Sequence, residues 1–170
     1  MKIKKLYSFD FDDTLCFTPK PEEGKVIWLE KTGTPFPYDG WWGRSESLDI
    51  NIFDIKLNPW IYTEYLNAIS DDENFVFMAT GRRTKLGNDV KKILNKHNLS
   101  FDALHFNNTR DTFEFKCGIF ESYVDEMMPD EFFIFDDRKE HLVRFIEWSK
   151  EIKCKITICD AIDKTITKNY

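Results

Sequence analysis

The sequence predicts an α/β domain in which a central, mostly parallel five-stranded sheet carries helices on both faces. Three short apolar runs, at residues 3–9, 75–79 and 132–135, are typical of buried strands, and each stops at polar residues. Between these runs lie segments with apolar side chains at helical spacing, most clearly at 86–97 and 113–127. Such alternation is typical of parallel sheets covered on both faces. Ligands bind beyond the carboxyl ends of such strands, so the polar residues there are expected to converge.

The other elements continue this alternation. Weaker strands are predicted at 102–106 and 155–159, and further helices at 58–69 and 139–150. Asp111 or Thr112 is expected to cap the helix at 113–127.

Residues 16–57 interrupt the pattern. They contain four prolines and four glycines, which predict a loop-rich insertion, a small cap, after the first strand. A long irregular segment beside a site often forms a lid or a substrate wall.

The length and composition limit the class of protein. A chain of 170 residues fits one domain, and we expect residues 1–170 to form it. The 24 basic and 30 acidic residues give a net charge of −6, which argues against binding to nucleic acid or membranes through overall charge alone. No apolar run resembles a signal peptide or a membrane span, so we expect a cytoplasmic protein with no membrane partner.

Acidic residues follow two of the predicted strands. Asp10 and Asp12 come just after the first strand, and Asp136 and Asp137 follow the strand at 132–135. Crowded carboxylates are held together most easily by a cation, and oxygen ligands favour Mg²⁺, which commonly binds with a substrate phosphate. Any one of these residues alone is more often a turn former or a helix cap. The two groups together favour a Mg²⁺ site.

Four short motifs stand in a fixed order along the chain. They comprise Asp10, Asp12 and Thr14; Thr80; Lys116; and Asp136 with Asp137. This set resembles the haloacid dehalogenase (HAD) superfamily of phosphotransferases, which implies a Rossmann-like HAD fold and Mg²⁺-dependent phosphatase chemistry. Lys85 and Lys139 remain alternatives to Lys116 as the third motif.

The resemblance implies a role for each motif. Asp10 would be the nucleophile that forms an aspartyl-phosphate, and Asp12 the general acid and then the base that activates water. Thr80 would donate a hydrogen bond to a phosphoryl oxygen, and Lys116 would counter the developing charge. The implied Mg²⁺ ligands are Asp10, the backbone carbonyl of Asp12, and Asp136, with Asp137 bound directly or through water. Which of Asp136 and Asp137 is the closer ligand stays open.

Further residues match one branch of the superfamily. They are Gly40-Trp41-Trp42 with Ser47-Leu48, Thr80-Gly81-Arg82, Thr112 with Phe115-Lys116, and Asp136-Asp137-Arg138 with His141 and Phe145. The pattern is similar to the HAD domain of Swiss Army Knife RNA repair proteins. It implies action on phosphorylated RNA or DNA ends, with other repair enzymes as possible partners.

Local charge gives separate support for a nucleic-acid substrate. Residues 82–96 hold six basic side chains and one acidic side chain, a local charge of +5. Arg82 and Arg83 are expected at the mouth of the crevice, where they could grip a second phosphate, and Trp41 or Trp42 could stack on a base. A basic helical segment is more often simply a solvated face, and one tryptophan of an adjacent pair is more often part of the core. The full set of candidate substrate contacts is Thr14, Trp41, Trp42, Gly81, Arg82, Arg83 and Arg138.

Three function classes remain open after the sequence alone. The first is a Mg²⁺-dependent phosphatase acting on nucleic-acid ends, and the second is the same chemistry on a nucleotide or small phosphate ester. The third is a catalytically silent binding domain. The presence of both Asp10 and Asp12 argues against the third, since a binding module needs no acid or base beside a nucleophile.

Overall fold

The computed structural model describes residues 3–169, which are built around one central sheet. The strands are β1 (Lys5–Phe9), β2 (Cys16–Phe17), β3 (Lys56–Leu57), β4 (Asn74–Arg83), β5 (Ala103–Asn107), β6 (Glu131–Asp136), β7 (Lys155–Asp160) and β8 (Ile166–Asn169). The α-helices are α1 (Pro21–Thr32), α2 (Pro59–Ala68), α3 (Gly87–Lys96), α4 (Thr112–Met127) and α5 (Lys139–Ser149). Within residues 3–169, no helix has both the length and the apolar character needed to cross a membrane.

The central sheet has six strands in the order β5-β4-β1-β6-β7-β8. The first five of these run parallel, and β8 pairs antiparallel with β7. The predicted mostly parallel sheet is confirmed, with one strand more than the five expected. The additional strand, β8, lies at the edge and has three exposed residues and one half-buried residue. It therefore lacks the apolar pattern that identifies a strand from sequence.

Helices cover both faces of the sheet, as predicted. α2 and α3 pack against one face around a core that includes Phe9, Tyr65 and Met78. α4 and α5 pack against the other face, around Phe77 and Phe120. Phe77 and Met78 are neighbours in β4 but belong to opposite cores, because successive side chains of a strand point to opposite faces.

The N-terminus of α4 is fixed by a side-chain cap. Asp111, rather than Thr112, accepts hydrogen bonds from the backbone amides of Phe113 and Glu114, at 2.8 and 3.0 Å. This cap sets where the helix begins. Lys116 then lies in the first turns of α4, on its buried side.

The strand order reverses at β1. β1 pairs with β4 on one side and with β6 on the other. In open α/β sheets a crevice forms at such a reversal, outside the carboxyl ends of the strands. The ends of β1, β4 and β6 are therefore where a ligand site is expected.

Residues 16–57 join β1 to α2 and are more regular than the sequence predicts. They contain α1, a helix of 12 residues that is followed by Gly33 with a φ of 73°. Gly24 is the only residue that α1 buries. The helix therefore has no apolar stripe that would reveal it in the sequence. β2 and β3 pair at the base of this segment.

Trp41 forms the core of the same insertion. It is 3% exposed, packs against the rings of Phe36 and Phe53, and donates from Nε1 to the carbonyl of Pro19 at 2.8 Å. A Cβ on Gly24 would lie 2.2 Å from the Trp41 ring, so α1 approaches the ring too closely for any side chain. Burial of Trp41 corrects the expectation that its face is open for stacking on a base.

Gly24→Ala is expected to lower the temperature of thermal unfolding, because the added methyl group must displace Trp41. Overpacking typically destabilises by about 1–3 kcal/mol, more than alanine gains in helix propensity. Gly118→Ala in α4 is the matched control, since apart from its chain neighbours and the backbone of its own helix no atom lies within 4 Å of its Cβ position. That variant should be neutral or more stable. Equal shifts in the two variants, measured by calorimetry, would contradict this packing.

Candidate active site

A cavity of about 410 Å³ opens at the carboxyl ends of β1, β4 and β6. It is lined by Asp10, Asp12, Asp13, Trp42, Gly81, Arg82, Thr112, Lys116, Asp137 and Arg138. The convergence expected from the strand ends is therefore present. Asp13 and Thr112 are additions to the predicted contacts. Thr112 precedes Lys116 by four residues, the spacing that places two side chains on one side of a helix.

Lys116 joins the ends of two strands. Its Nζ donates to Asp10 Oδ1 at 2.8 Å and to Asp136 Oδ2 at 2.6 Å, and all three side chains are buried. Of the two alternative lysines, Lys139 is more than half exposed and pairs instead with Asp160 and Asp163, which do not line the cavity. The geometry thus favours Lys116 as the cation of the site.

This buried pairing shifts the proton affinities of its members. Burial raises the pKa of Asp10 to about 6, although Lys116 opposes the shift. Burial also acts to raise the pKa of Asp136, but Lys116, together with His141 and the backbone amide of Arg138, outweighs burial and holds that pKa below its usual range. For Lys116 burial alone would lower the pKa, and the two carboxylates raise it above its usual value. The lysine is therefore charged and Asp136 ionised, with Asp10 ionised above about pH 6.

Asp137 lies next to Asp136 in the chain, and its carboxyl group faces the cavity. Burial and the neighbouring charges of Asp10 and Asp136 raise its pKa to about 8. One carboxylate oxygen from each of Asp10, Asp136 and Asp137 lies within 4.8 Å of the others. Three carboxylates this close fit a hard divalent cation, which would relieve their mutual repulsion.

The carboxylate of Asp12 is held by two side chains. Arg82 donates from Nε to Oδ2 at 2.8 Å and from Nη2 to Oδ1 at 2.7 Å, and Thr18 donates its hydroxyl to Oδ1 at 2.6 Å. Arg82 is buried, whereas 21% of the Asp12 side chain is exposed. The expected bidentate grip of Arg82 on a second phosphate does not fit this geometry, because its fork already binds Asp12. Thr18 had no signal in the sequence.

Two threonines of the predicted motifs are fully buried and do not line the cavity. Thr80 Oγ1 accepts a hydrogen bond from the backbone amide of Arg82 at 3.1 Å, which leaves its O–H to donate. Within residues 3–169, Thr14 Oγ1 has no hydrogen-bond partner. Gly81 does line the cavity, and a Cβ there would lie 3.2 Å from the methyl group of Thr112.

The two tryptophans of the predicted pair have different environments. Unlike Trp41, Trp42 is 45% exposed and lines the cavity. The guanidinium carbon of Arg82 lies 5.0 Å from the centre of its ring. Trp42 is therefore the member of the pair with a ring that a ligand can reach.

The basic segment at residues 82–96 does not form a rim around this cavity. Of its side chains, Arg82 alone lines the cavity. Lys91 and Lys92 line two other surface cavities, and Lys92 pairs with Asp89 at 3.2 Å. Arg83 is exposed and donates to the carbonyl of Thr109. The expected convergence of this charge on the site is wrong, because the segment passes from the end of strand β4 into helix α3, and side chains at successive positions of the helix point in different directions.

Comparison with solved structures supports the fold. Two structures of the Pnkp1/Rnl/Hen1 RNA repair complex match with TM-scores of 0.58 and 0.55, at 16% and 17% identity. Each match covers 93% of this chain but 43% or 47% of the other chain, so this chain spans less than half of theirs. A haloacid dehalogenase-like hydrolase family protein, SP0104 from Streptococcus pneumoniae, matches with a TM-score of 0.51 at 14% identity, over 91% of this chain and 83% of that chain. At these identities the likeness shows the fold alone.

Sequence comparison identifies the family. A search of curated proteins finds no significant match. Residues 23–168 match the family described as HAD domain family 1 in Swiss Army Knife RNA repair proteins. The match includes Thr80, Lys116, Asp136 and Asp137, while Asp10 and Asp12 precede it. With most of its length matched, the chain belongs to this HAD domain family of Swiss Army Knife RNA repair proteins.

Proposed function

We propose that the chain is a Mg²⁺-dependent phosphatase that acts through an aspartyl-phosphate on Asp10. The observation that carries this proposal is the contact of Asp10 with Lys116 inside a cavity that also holds Asp12 and Asp137. Asp10 is a nucleophile with a cation beside it and a second carboxyl group within the same cavity for proton transfer. We treat residues 1–170 as one catalytic unit, with residues 16–57 as its cap.

The metal would be held by Asp10, the backbone carbonyl of Asp12 and Asp137. Both oxygens of Asp136 already accept hydrogen bonds, Oδ2 from Lys116 and Oδ1 from the amide of Arg138. Asp137 lines the cavity, and this favours it over Asp136 as the closer ligand. When bound, Mg²⁺ neutralises charge on the phosphate and so permits attack by an anion.

The reaction follows from the roles of the two carboxylates. An oxygen of Asp10 attacks phosphorus and the bond from phosphorus to the ester oxygen breaks. Asp12, which must begin the cycle as the carboxylic acid, gives its proton to that oxygen and becomes the carboxylate. Asp12 then takes a proton from a water molecule, whose oxygen attacks phosphorus and breaks the bond to Asp10. Inorganic phosphate leaves, and Asp10 and Asp12 return to their starting states. The covalent route divides one difficult displacement into two easier ones.

In the proposed reaction Lys116 stabilises negative charge near Asp10, and its contact with Asp136 holds it in place. Its ammonium group remains charged while it contacts Asp10, so it offsets negative charge that builds up as phosphorus is attacked. Its second contact, with Asp136, fixes the position of that ammonium. Thr80 has an O–H left to donate but does not line the cavity, so its hydrogen bond to a phosphoryl oxygen is proposed on the resemblance alone.

We propose the phosphorylated end of an RNA or DNA strand as the substrate, with other repair enzymes as partners. The family description and the exposed ring of Trp42 beside the cavity support this choice. The second candidate substrate is a nucleotide or a small phosphate ester. One observation favours it: the basic residues of 82–96 do not surround the cavity. A catalytically silent domain remains the third candidate, and measurement of phosphate release separates it from the other two.

The wild-type protein is expected to release inorganic phosphate from phosphate monoesters when Mg²⁺ is present, and Asp10→Asn is expected to abolish this release. The amide is no nucleophile, so no aspartyl-phosphate can form. Phosphate release should be measured across aryl phosphates, nucleotides, and oligonucleotides with 3′ or 5′ phosphates. Asp125→Asn, at an exposed position of α4, is the matched control and should retain full activity. A folded Asp10→Asn protein that turns over at the wild-type rate would exclude the proposed nucleophile.

Mg²⁺ is expected to raise the unfolding temperature of the wild-type protein, and Asp137→Asn should remove this rise. A ligand that binds the folded state alone stabilises it in proportion to RT ln(1 + [L]/Kd). In the absence of Mg²⁺, Asp137→Asn should itself be more stable than the wild type, since it removes one of three crowded carboxyl groups. Differential scanning fluorimetry over a Mg²⁺ series measures both effects. An undiminished Mg²⁺ response in Asp137→Asn would return the ligand role to Asp136.

Trp42→Leu is expected to reduce kcat/KM for oligonucleotide 3′- or 5′-phosphates by roughly 5- to 150-fold, the equivalent of about 1–3 kcal/mol for one stacked base. Glycerol phosphate, which has no ring to stack, should lose much less. Phe17→Leu is the matched control, because Phe17 is 48% exposed yet lies outside the cavity. If oligonucleotides have no advantage over mononucleotides at low salt, the small-ester phosphatase becomes the better proposal.

A further inference from the structure

Arg82 uses nearly all of its hydrogen-bonding capacity within the protein. A guanidinium group has five N–H donors. Two go to Asp12, and the remaining contacts run from Nη1 to the carbonyl of Trp42 at 2.7 Å and to Ser47 Oγ at 3.1 Å. Four of the five donors are thereby occupied, and the side chain is 2% exposed. A phosphate could accept a hydrogen bond from at most the one remaining N–H donor, so direct binding of substrate does not explain why Arg82 is placed here.

The partners of Arg82 connect the insertion to Asp12. Ser47 is fully buried and donates its own hydroxyl to the carbonyl of Arg44 at 2.7 Å, so its oxygen is oriented to accept from Arg82. Trp42, Arg44 and Ser47 all belong to residues 16–57. The insertion also supplies Thr18, which donates directly to Asp12. The carboxylate thus has three donors around it, one from the insertion and two from an arginine that the insertion holds.

We propose that Arg82 is a positioning residue for Asp12, and that Ser47 and the Trp42 carbonyl fix the orientation of Arg82. This inference rests on the proposed phosphatase function. The planar fork of an arginine matches a carboxylate in two bonds, which sets both the direction and the rotation of the acid. Proton transfer by Asp12 requires that alignment, while attack by Asp10 does not depend on Arg82.

The leaving group of the substrate distinguishes this role from phosphate binding. An activated aryl phosphate departs without a proton, whereas an alkyl phosphate needs one from the acid. Arg82→Lys retains a positive charge but has no fork, so it should lose at least about tenfold more kcat on the alkyl ester than on the aryl ester, within the roughly 10²- to 10⁴-fold that general acid catalysis supplies. In an Asp12→Asn background the same substitution should have little further effect, because its target is gone.

A second pair of variants guards against a folding defect at the buried arginine. Ser47→Ala removes one anchor of Arg82 and should show the same preference for loss on the alkyl ester, at smaller size. Ser45→Ala is the matched control, since Ser45 is exposed and its hydroxyl donates to Asp89 rather than to Arg82. It should leave both esters unaffected. Added guanidinium should restore part of the alkyl-ester activity of Arg82→Ala.

The outcomes separate the two proposals. An equal loss on aryl and alkyl esters in Arg82→Lys, undiminished in the Asp12→Asn background, would overturn the positioning role and assign Arg82 to the phosphate. In that case the phosphatase itself stands, since the wild-type protein is active. Failure of the wild-type protein to release phosphate from either ester would instead overturn the proposed function, and the role of Arg82 with it.

Discussion

The contact of Lys116 with Asp10 and Asp136 is the interaction on which the site depends. Asp10 follows β1, Asp136 ends β6, and the lysine comes from α4 on one face of the sheet, so one ammonium group fixes three elements. Each of these charges alone would be expensive to bury, and loss of one partner from such a pair typically destabilises by about 3–5 kcal/mol. Three basic residues line the cavity, and each pairs with a carboxylate: Lys116 with Asp10 and Asp136, Arg82 with Asp12, and Arg138 with Glu140. Burial and the neighbouring carboxylates raise the pKa of Asp137 to about 8. The cavity therefore has little unpaired positive charge to offer a phosphate, and this supports the divalent cation of the proposed reaction.

Much of the fold was predictable because its signals are local. Buried strands appear as short apolar runs, and acidic residues directly after two of them mark the edge where ligands bind. The prediction that Asp10 and Asp137 face one crevice followed from this rule, although more than a hundred residues separate them. Lys116 was harder to distinguish from Lys139, since both occur near helix starts. Only tertiary packing shows that Lys116 is buried between two carboxylates of the site, whereas Lys139 is more than half exposed and pairs with acidic residues outside it.

The structure differs from the sequence-based predictions where the burial of a side chain, or the direction in which it points, decides its role. Trp41 and Trp42 are neighbours with the same chemistry, but the ring of Trp41 fills the space above Gly24 while Trp42 faces the cavity. The basic residues of 82–96 are clustered in the sequence, but the helix places Lys91 and Lys92 on different surfaces. The sequence does not reveal helix α1 and strand β8 for a related reason, since both bury too little to leave an apolar pattern.

One part of the insertion at residues 16–57 is hydrogen-bonded to Arg82 and Asp12, and another part is exposed. This division limits how the insertion can move. A lid that opened as one body would have to break the bonds from Arg82 to Ser47 and to the Trp42 carbonyl, and that from Thr18 to Asp12. Those bonds are partly or fully buried, where an unpaired polar group is costly. Opening would also release the Asp12 carboxylate, to which the proposed reaction assigns proton transfer. The inner edge of the insertion is therefore fixed to the candidate site, and a movement that keeps these bonds is confined to its outer portion and to the exposed ring of Trp42.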